Sequence, residues 1–538
     1  MKKLFTLFAA ALVMLTAASC EKNEVLPGNN SEGKVVTLKA SINNGETRTS
    51  LGAKVDDIYP VLWSAGDAIS VIQGSSAYTF VLSPECAGET SGTFMYLAEL
   101  APSFNPEENY TAFYPANSVS VNDVDGTVQY TILGTQYYAE NSFGSGAMPM
   151  AATSTGGTSF IFNNLFGVLK LQLKGAANEK VTSIVITSSN ALNGEAQLVE
   201  GAIALRGEAA ENKKVTLDCS ADGGVALNQD EATDFHIALP ANATGLKVLI
   251  NTNKGSFYKE VPNQNGEITN EIKAGKILKM PELNTKNMAP AYIENGVYYG
   301  DGVKLPKSAT ETIIWAPVNC GYEPVDGSYK GYPYGKLYQW GRKYGQGYDS
   351  NDDSYPTGES LVNAFVSLEQ GQSKENENIF YKVSSSTDND WLNNPNNQLW
   401  NSGNEDFPVK TDYDPCPDGW RVPTKSELTS LKEGFIIKDG TFNNQKGAWF
   451  YGMIDGDPTE SSSKLFLPFA GKRDKWGQSA SQRNNEGYYW SSSVEYNQAF
   501  KMDFGSSYIA INAMARVYGF SVRCVKDVPQ SEPVPSSN

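Results

Sequence analysis

The stretch "DPCPDGWRVPTKSEL", residues 414–428, decides how the C-terminal half is read. Pro415 and Pro417 fix the backbone on both sides of Cys416. Asp418-Gly419 is a turn signal, and Trp420 supplies a large anchor. Thr424 is then a good helix N-cap with Glu427 three residues on, a T-x-x-E capping box. Leu428 and Leu431 share one helix face, and Gly434 can end the helix. The cysteine is thus pinned just ahead of a short helix. We take its partner to be Cys524 in "GFSVRCVKD" (519–527). That bridge would close a loop of roughly a hundred residues, worth roughly 4–5 kcal/mol in the chain-entropy account.

The rest of the chain sets the context. Its 538 residues suit about three to four domains, fewer if they are β-rich. Hydrophobic residues at 40% and aromatics at 11% allow sizeable cores. With 60 Asp+Glu against 43 Lys+Arg, the net charge is −17. Such a surface repels phosphate backbones, which argues against nucleic acid as a partner. Abundant Gly, Ser, Asn, Thr and Tyr without long heptads predict a mainly β chain with many turns.

Residues 1–19 read as a targeting signal. Lys2 and Lys3 precede "LFTLFAAALVML", an apolar run too short to span a bilayer stably. Small residues then lead to Cys20. This resembles a bacterial lipoprotein signal, with Ala17 standing where Leu is more usual. It implies cleavage before Cys20, acylation of that cysteine with palmitate or a like chain, and an outer-membrane lipoprotein at the cell surface, held by lipid alone. Residues 20–33 follow as a polar tether.

Export leaves Cys86, Cys219, Cys320, Cys416 and Cys524 in an oxidising setting. Five is odd, so at least one stays free or pairs outside the chain. No C-x-x-C pair exists, and the single histidine, His236, is too little for a Cys/His zinc site. His236 alternates with Phe235 and Ile237 and is expected to face solvent from a strand. There is no G-x-S-x-G, no P-loop and no dinucleotide-binding glycine fingerprint. No cofactor is expected, and no enzyme.

Residues 34–285 carry short alternating segments between Gly/Asn/Asp/Ser turns, such as "VVTLKASI" (35–42) and "LKVLINT" (246–252). They predict antiparallel sandwiches, with two subdomains meeting near 160–180. Residues 286–291 read as a linker, 292–528 as a second region dense in Trp, Tyr, Asn and Asp, and 529–538 as a disordered Pro/Ser tail.

The phrases "ETRTSL" (46–51), "VLWSAGDAISVI" (61–72), "YTAFYPA" (110–116), "NNLFGVLKLQLKG" (163–175) and "HIALPANATGLKVLI" (236–250), in that order, resemble the fimbrillin family of Bacteroidetes pilus proteins. The resemblance implies two β-sandwich domains after a lipoprotein signal. It also implies removal of the first strand by a trypsin-like protease and donor-strand exchange with other pilin subunits. On this sequence the processing bond would be Arg48–Thr49, in a polar loop after a strand whose Val36, Leu38, Ala40 and Ile42 share a face. Pro529, Pro533 and Pro535 cannot donate ladder hydrogen bonds, so the expectation is a subunit that accepts a strand, a pilus tip released into the fimbria. The alternative is an outer-membrane surface lipoprotein that never polymerises and binds glycan or protein.

In the C-terminal part, "WAPVNCGY" (315–322), "YGKLYQWGRKYG" (334–345), the opening stretch, "LFLPFAGKR" (465–473), "GYYWSSS" (487–493) and "GFSVRCVKD" resemble the Fibrobacter succinogenes major paralogous domain. The resemblance implies an α+β, C-type-lectin-like domain, with long loops, disulfide ties near its ends and an extracellular setting. Loop 388–407 is the candidate ligand contact for a glycan or another surface ligand, through Trp391, Trp400, Asn396, Asn397, Asn401, Asn404 and Asp406. In "YDSNDDS" (348–354), Asp349, Asn351, Asp352 and Asp353 are oxygen donors suited to calcium. Ser354 stands where a calcium loop needs Gly, and a solvated acidic loop with no metal is expected. The same fold houses formylglycine-generating enzymes, which use a reactive cysteine pair. Here Cys416 and Cys524 read as structural and Cys320 stands alone, so adhesion is the expected function, and the third reading is an enzyme on the lectin-like fold.

Overall fold

The computed structural model describes residues 36–43, 62–96, 102, 104–105, 107–121, 128–154, 157–199, 202–241, 243–261, 271–308, 310–324, 332–347, 360–434, 436–451, 453–454, 457–458, 463–477 and 481–528. Cys20, the Arg48–Thr49 bond, the calcium candidates Asp349, Asn351 and Asp353, and the tail after 528 lie outside the described residues. The chain is mainly β. It divides into two compact units: Met1–Asn253 with Tyr258–Met288, and Lys254–Phe257 with Ala289–Asn538.

Seven strands open the first unit. They are β1 (Thr37–Ile42), β2 (Ala68–Gln73), β3 (Ser76–Leu82), β4 (Ser91–Met95), β5 (Thr111–Tyr114), β6 (Met150–Thr153) and β7 (Ser159–Asn164). The sheet closes into a barrel in the order β1-β7-β6-β5-β2-β3-β4 rather than stopping at two free edges. Closure removes edge strands and their unpaired backbone groups. Trp63 fills the interior, edge-on to Phe94 at 4.9 Å and to Phe162 at 5.7 Å.

The first unit continues with β8 (Phe166–Lys174), β9 (Lys180–Thr187), β10 (Lys214–Asp218), β11 (Thr233–Pro240) and β12 (Lys247–Thr252). β8 pairs antiparallel with β11, from Phe166↔Pro240 to Leu173↔Thr233. β9 lies between β12 and β10 in a second sheet. The strand Thr135–Ala139 joins that sheet beside β10, although it precedes β6 and β7 in sequence. The chain therefore leaves the barrel and returns to it, and a single boundary near 160–180 is an incomplete description.

One expectation is corrected here. His236 does not face solvent; it is 3% exposed, because residues Phe235–Pro240 are buried on both faces of β11. Alternation shows which residues oppose one another, not whether the second face is also covered. Ahead of the linker the chain is anchored. Thr285 is buried and donates to Glu179 Oε2 at 2.9 Å.

The second unit contains β13 (Thr312–Trp315), the short helix α1 (Leu368–Gln372), α2 (Lys425–Gly434), the meander β14 (Gly487–Glu495), β15 (Gln498–Gly505) and β16 (Tyr508–Ala515), and β17 (Val525–Lys526). β17 lies between β13 and the short strand Trp420–Arg421. Cys416 and Cys524 are joined by a disulfide with Cα atoms 5.9 Å apart, closing 108 residues of sequence separation. Around it pack Tyr292, Trp340, Trp391, Trp400, Trp420 and Trp490.

Candidate functional site

The first candidate is β1 and the slot that holds it. Leu38, Ala40 and Ile42 are 1%, 2% and 4% exposed and belong to the barrel core. The strand is laddered on both sides. It runs antiparallel to β4, with Leu38 opposite Phe94 and Ala40 opposite Gly92. It runs parallel to β7, with Ala40 opposite Phe160 and Ile42 opposite Phe162. Lys39 N donates to Thr158 O at 2.9 Å and Asn43 N to Phe162 O at 2.9 Å. On the other side Tyr96 N donates to Val36 O at 3.1 Å. A Cβ at Gly92 would sit 2.6 Å from Leu82 Cδ1 and 3.1 Å from Cys86 Cβ, so a larger residue there would force the Leu82 side chain to shift. Loss of β1 would leave β4 and β7 as facing edges over an apolar groove. After β1 the described residues stop at Asn43 and resume at 62.

The second candidate is the loop region of the second unit, which grows from the opening stretch. Asp414 Oδ1 accepts from Cys416 N (2.8 Å) and Lys410 Nζ (3.0 Å), and its Oδ2 accepts from Val422 N (2.8 Å). Lys410 Nζ also donates to the carbonyls of Cys416 and Trp420. The capping box is formed: Glu427 N donates to Thr424 Oγ1, and Thr424 N donates to Glu427 Oε2 at 2.8 Å. The same Glu427 carboxylate takes both Arg421 Nη atoms at 2.7 Å.

The loop read as ligand contact divides. Trp391 and Trp400 are 0% and 1% exposed. Their indole N–H groups donate to Trp340 O (2.7 Å) and Arg342 O (3.2 Å). They are core anchors, and as ligand-stacking platforms they are corrected. Asn401 and Asn404 fold the loop on itself. Asn401 Oδ1 accepts from Gly403 N and Val409 N, and Asn404 Oδ1 accepts from Asp406 N and Phe407 N. Asn396 and Asn397 instead line an open cleft of about 710 Å³. Sequence reading missed Arg516, fully buried beneath this loop, and Tyr496, which is 90% exposed.

The cysteine thiols outside the disulfide are enclosed. Cys86, Cys219 and Cys320 are buried and lie outside the disulfide. Burial pushes the Cys219 thiol up to about 12 and the Cys320 thiol well above its ordinary value. A protonated thiol is not a nucleophile. Cys320 accepts from Tyr338 OH at 3.2 Å and faces Glu294, whose carboxylate also takes the Gly321 N–H and Tyr292 O–H. Burial raises the Glu294 carboxyl, against the pull of those donors. Among the described residues no group of three or more His, Cys, Asp or Glu could hold a metal ion. Among the same residues, no helix is long and apolar enough to cross a membrane.

No protein-family model and no curated protein matches this chain. Solved structures do. A candidate cell adhesion protein from Bacteroides ovatus is 14% identical, with 48% of this chain and 95% of that one covered at a TM-score of 0.30. A similarly described protein from Bacteroides uniformis is 15% identical, covering 46% and 92%, at 0.29. A fimbrial protein from Bacteroides ovatus covers 91% of this chain and 98% of its own, at 11% identity and a TM-score of 0.19. At these values the likeness carries no argument about function.

Proposed function

We propose that this chain is a cell-surface adhesion subunit of a fimbria. In this reading it loses β1 by cleavage at Arg48–Thr49, accepts a strand from another pilin subunit in the vacated slot, and presents its second unit as a lectin-like head. One observation carries the reading: β1 is hydrogen-bonded on both sides within a closed barrel and supplies Leu38, Ala40 and Ile42 to the core. A slot of that kind, once emptied, needs an alternating strand to satisfy both ladders and the groove. β17 is a poor donor, because it is paired on both sides and follows the disulfide-bonded Cys524 directly. In this reading the chain accepts a strand, as at a tip. The lipid anchor at Cys20 is the state before processing.

The test is a strand-replacement assay. The purified chain is cut with a trypsin-like protease, and synthetic peptides are offered. A peptide of the 35–43 sequence should bind and restore the thermal transition of the first unit. A peptide with Asp at the positions of Leu38 and Ile42 should not. Equal recovery with both peptides, or no loss on cleavage after Arg48, would count against the slot.

A further inference from the structure

Arg516 is fully buried, and its guanidinium reaches the asparagine run on one side and the β14–β15 hairpin on the other. Its Nη1 donates to Asp390 Oδ2 (3.0 Å) and Asn396 O (3.3 Å). Its Nη2 donates to Asn397 Oδ1 and to the carbonyls of Tyr496 (3.0 Å) and Gln498 (3.4 Å). One guanidinium thus ties the asparagine run to the β14–β15 hairpin. Burying such a group is costly unless its donors are used. Here the two Nη groups hold two loops in one fixed relation, the arrangement a preorganised surface requires.

Tyr496 is the first of the two residues between the paired Glu495 and Gln498. Its φ is +55°. Bulky side chains avoid that region, and tight hairpin turns usually fill it with Gly, Asn or Asp. The tyrosine gains no compensating burial, since it is 90% exposed. Strain at an exposed ring points to a use outside the chain. Its carbonyl shares Arg516 Nη2 with Asn397, which lines the 710 Å³ cleft together with Ser367, Leu368 and the run 392–398. That lining carries amides, a hydroxyl and apolar groups, and no charged side chain.

The geometry points to a binding site for an uncharged carbohydrate, made by the Tyr496 ring and the amides of Asn393–Gln398. A pyranose offers an apolar C–H face to an aromatic ring and hydroxyls that pair with amide donors and acceptors. A charged glycan would find no counter-charge in the lining. The inference rests on the reading of the second unit as a binding head and is independent of strand exchange.

The test uses the full chain on an array of neutral oligosaccharides, with hits measured in solution. Tyr496→Gly relaxes the backbone, so its unfolding temperature should match or exceed that of the parent. Its affinity should fall more than about tenfold, whereas Tyr496→Trp should keep binding. Asn397→Ala should also weaken binding. If a neutral glycan binds equally to the parent and to Tyr496→Gly, this site is wrong while the binding head stands. If no neutral glycan binds, or the chain retains only charged glycans or proteins, the inference is overturned. None of these outcomes bears on whether β1 is exchanged.

Discussion

At the scale of single residues, buried polar groups set much of the second unit's behaviour. Glu294 sits beside Cys320 and takes hydrogen bonds from Tyr292 and Gly321. Burial raises its carboxyl above the ordinary 4.5. A carboxyl raised in the folded chain holds its proton more tightly there than in the unfolded chain. Its contribution to stability is therefore full below pH 4.5 and is lost as pH rises through the folded value. Glu294→Gln cannot titrate. Urea unfolding of parent and variant from pH about 4 to 8 should show the parent losing stability relative to the variant as pH rises. A constant difference would contradict this account of Glu294. Little of this was legible in the sequence. Glu294 and Cys320 lie far apart along the chain, and only the fold brings them together.

At the scale of elements, local chemistry was more legible. The box from Thr424 to Glu427 was readable because both partners lie within one helical turn, and the structure forms both of its hydrogen bonds. The Cys416–Cys524 bridge was also read from its settings. Burial was harder. Trp391 and Trp400 lie in a run of asparagines that looks like an exposed loop, yet both rings are enclosed. Tryptophan at a sugar site and tryptophan in a core look alike in one sequence. Tyr496 gave no signal, since its interest lies in a backbone angle and an exposure. The two ends of the capping box should differ in weight. Thr424→Ala removes one cap and should cost about 1 kcal/mol. Glu427→Ala removes a cap and also leaves Arg421 without its bidentate partner, so it should cost about 3–5 kcal/mol. Denaturant midpoints of the two variants would show the order. Similar losses would mean that the Arg421 pair adds little.

At the scale of the whole molecule, the mainly β character follows from alternation and turn composition. Closure of the first sheet and the chain's return to it do not, because strand partners far apart in sequence leave no local mark. The proposed function rests on one strand. β1 completes the barrel from within, and the proposed cleavage would turn a closed structure into one that requires a partner. The most direct measurement is the N-terminal residue of the mature protein, taken from the surface of its native cells and identified by mass spectrometry. A chain beginning at Thr49, recovered with other pilin subunits, is the predicted result. A mature protein found only with an acylated Cys20 and β1 still attached would contradict strand exchange as its mode of assembly.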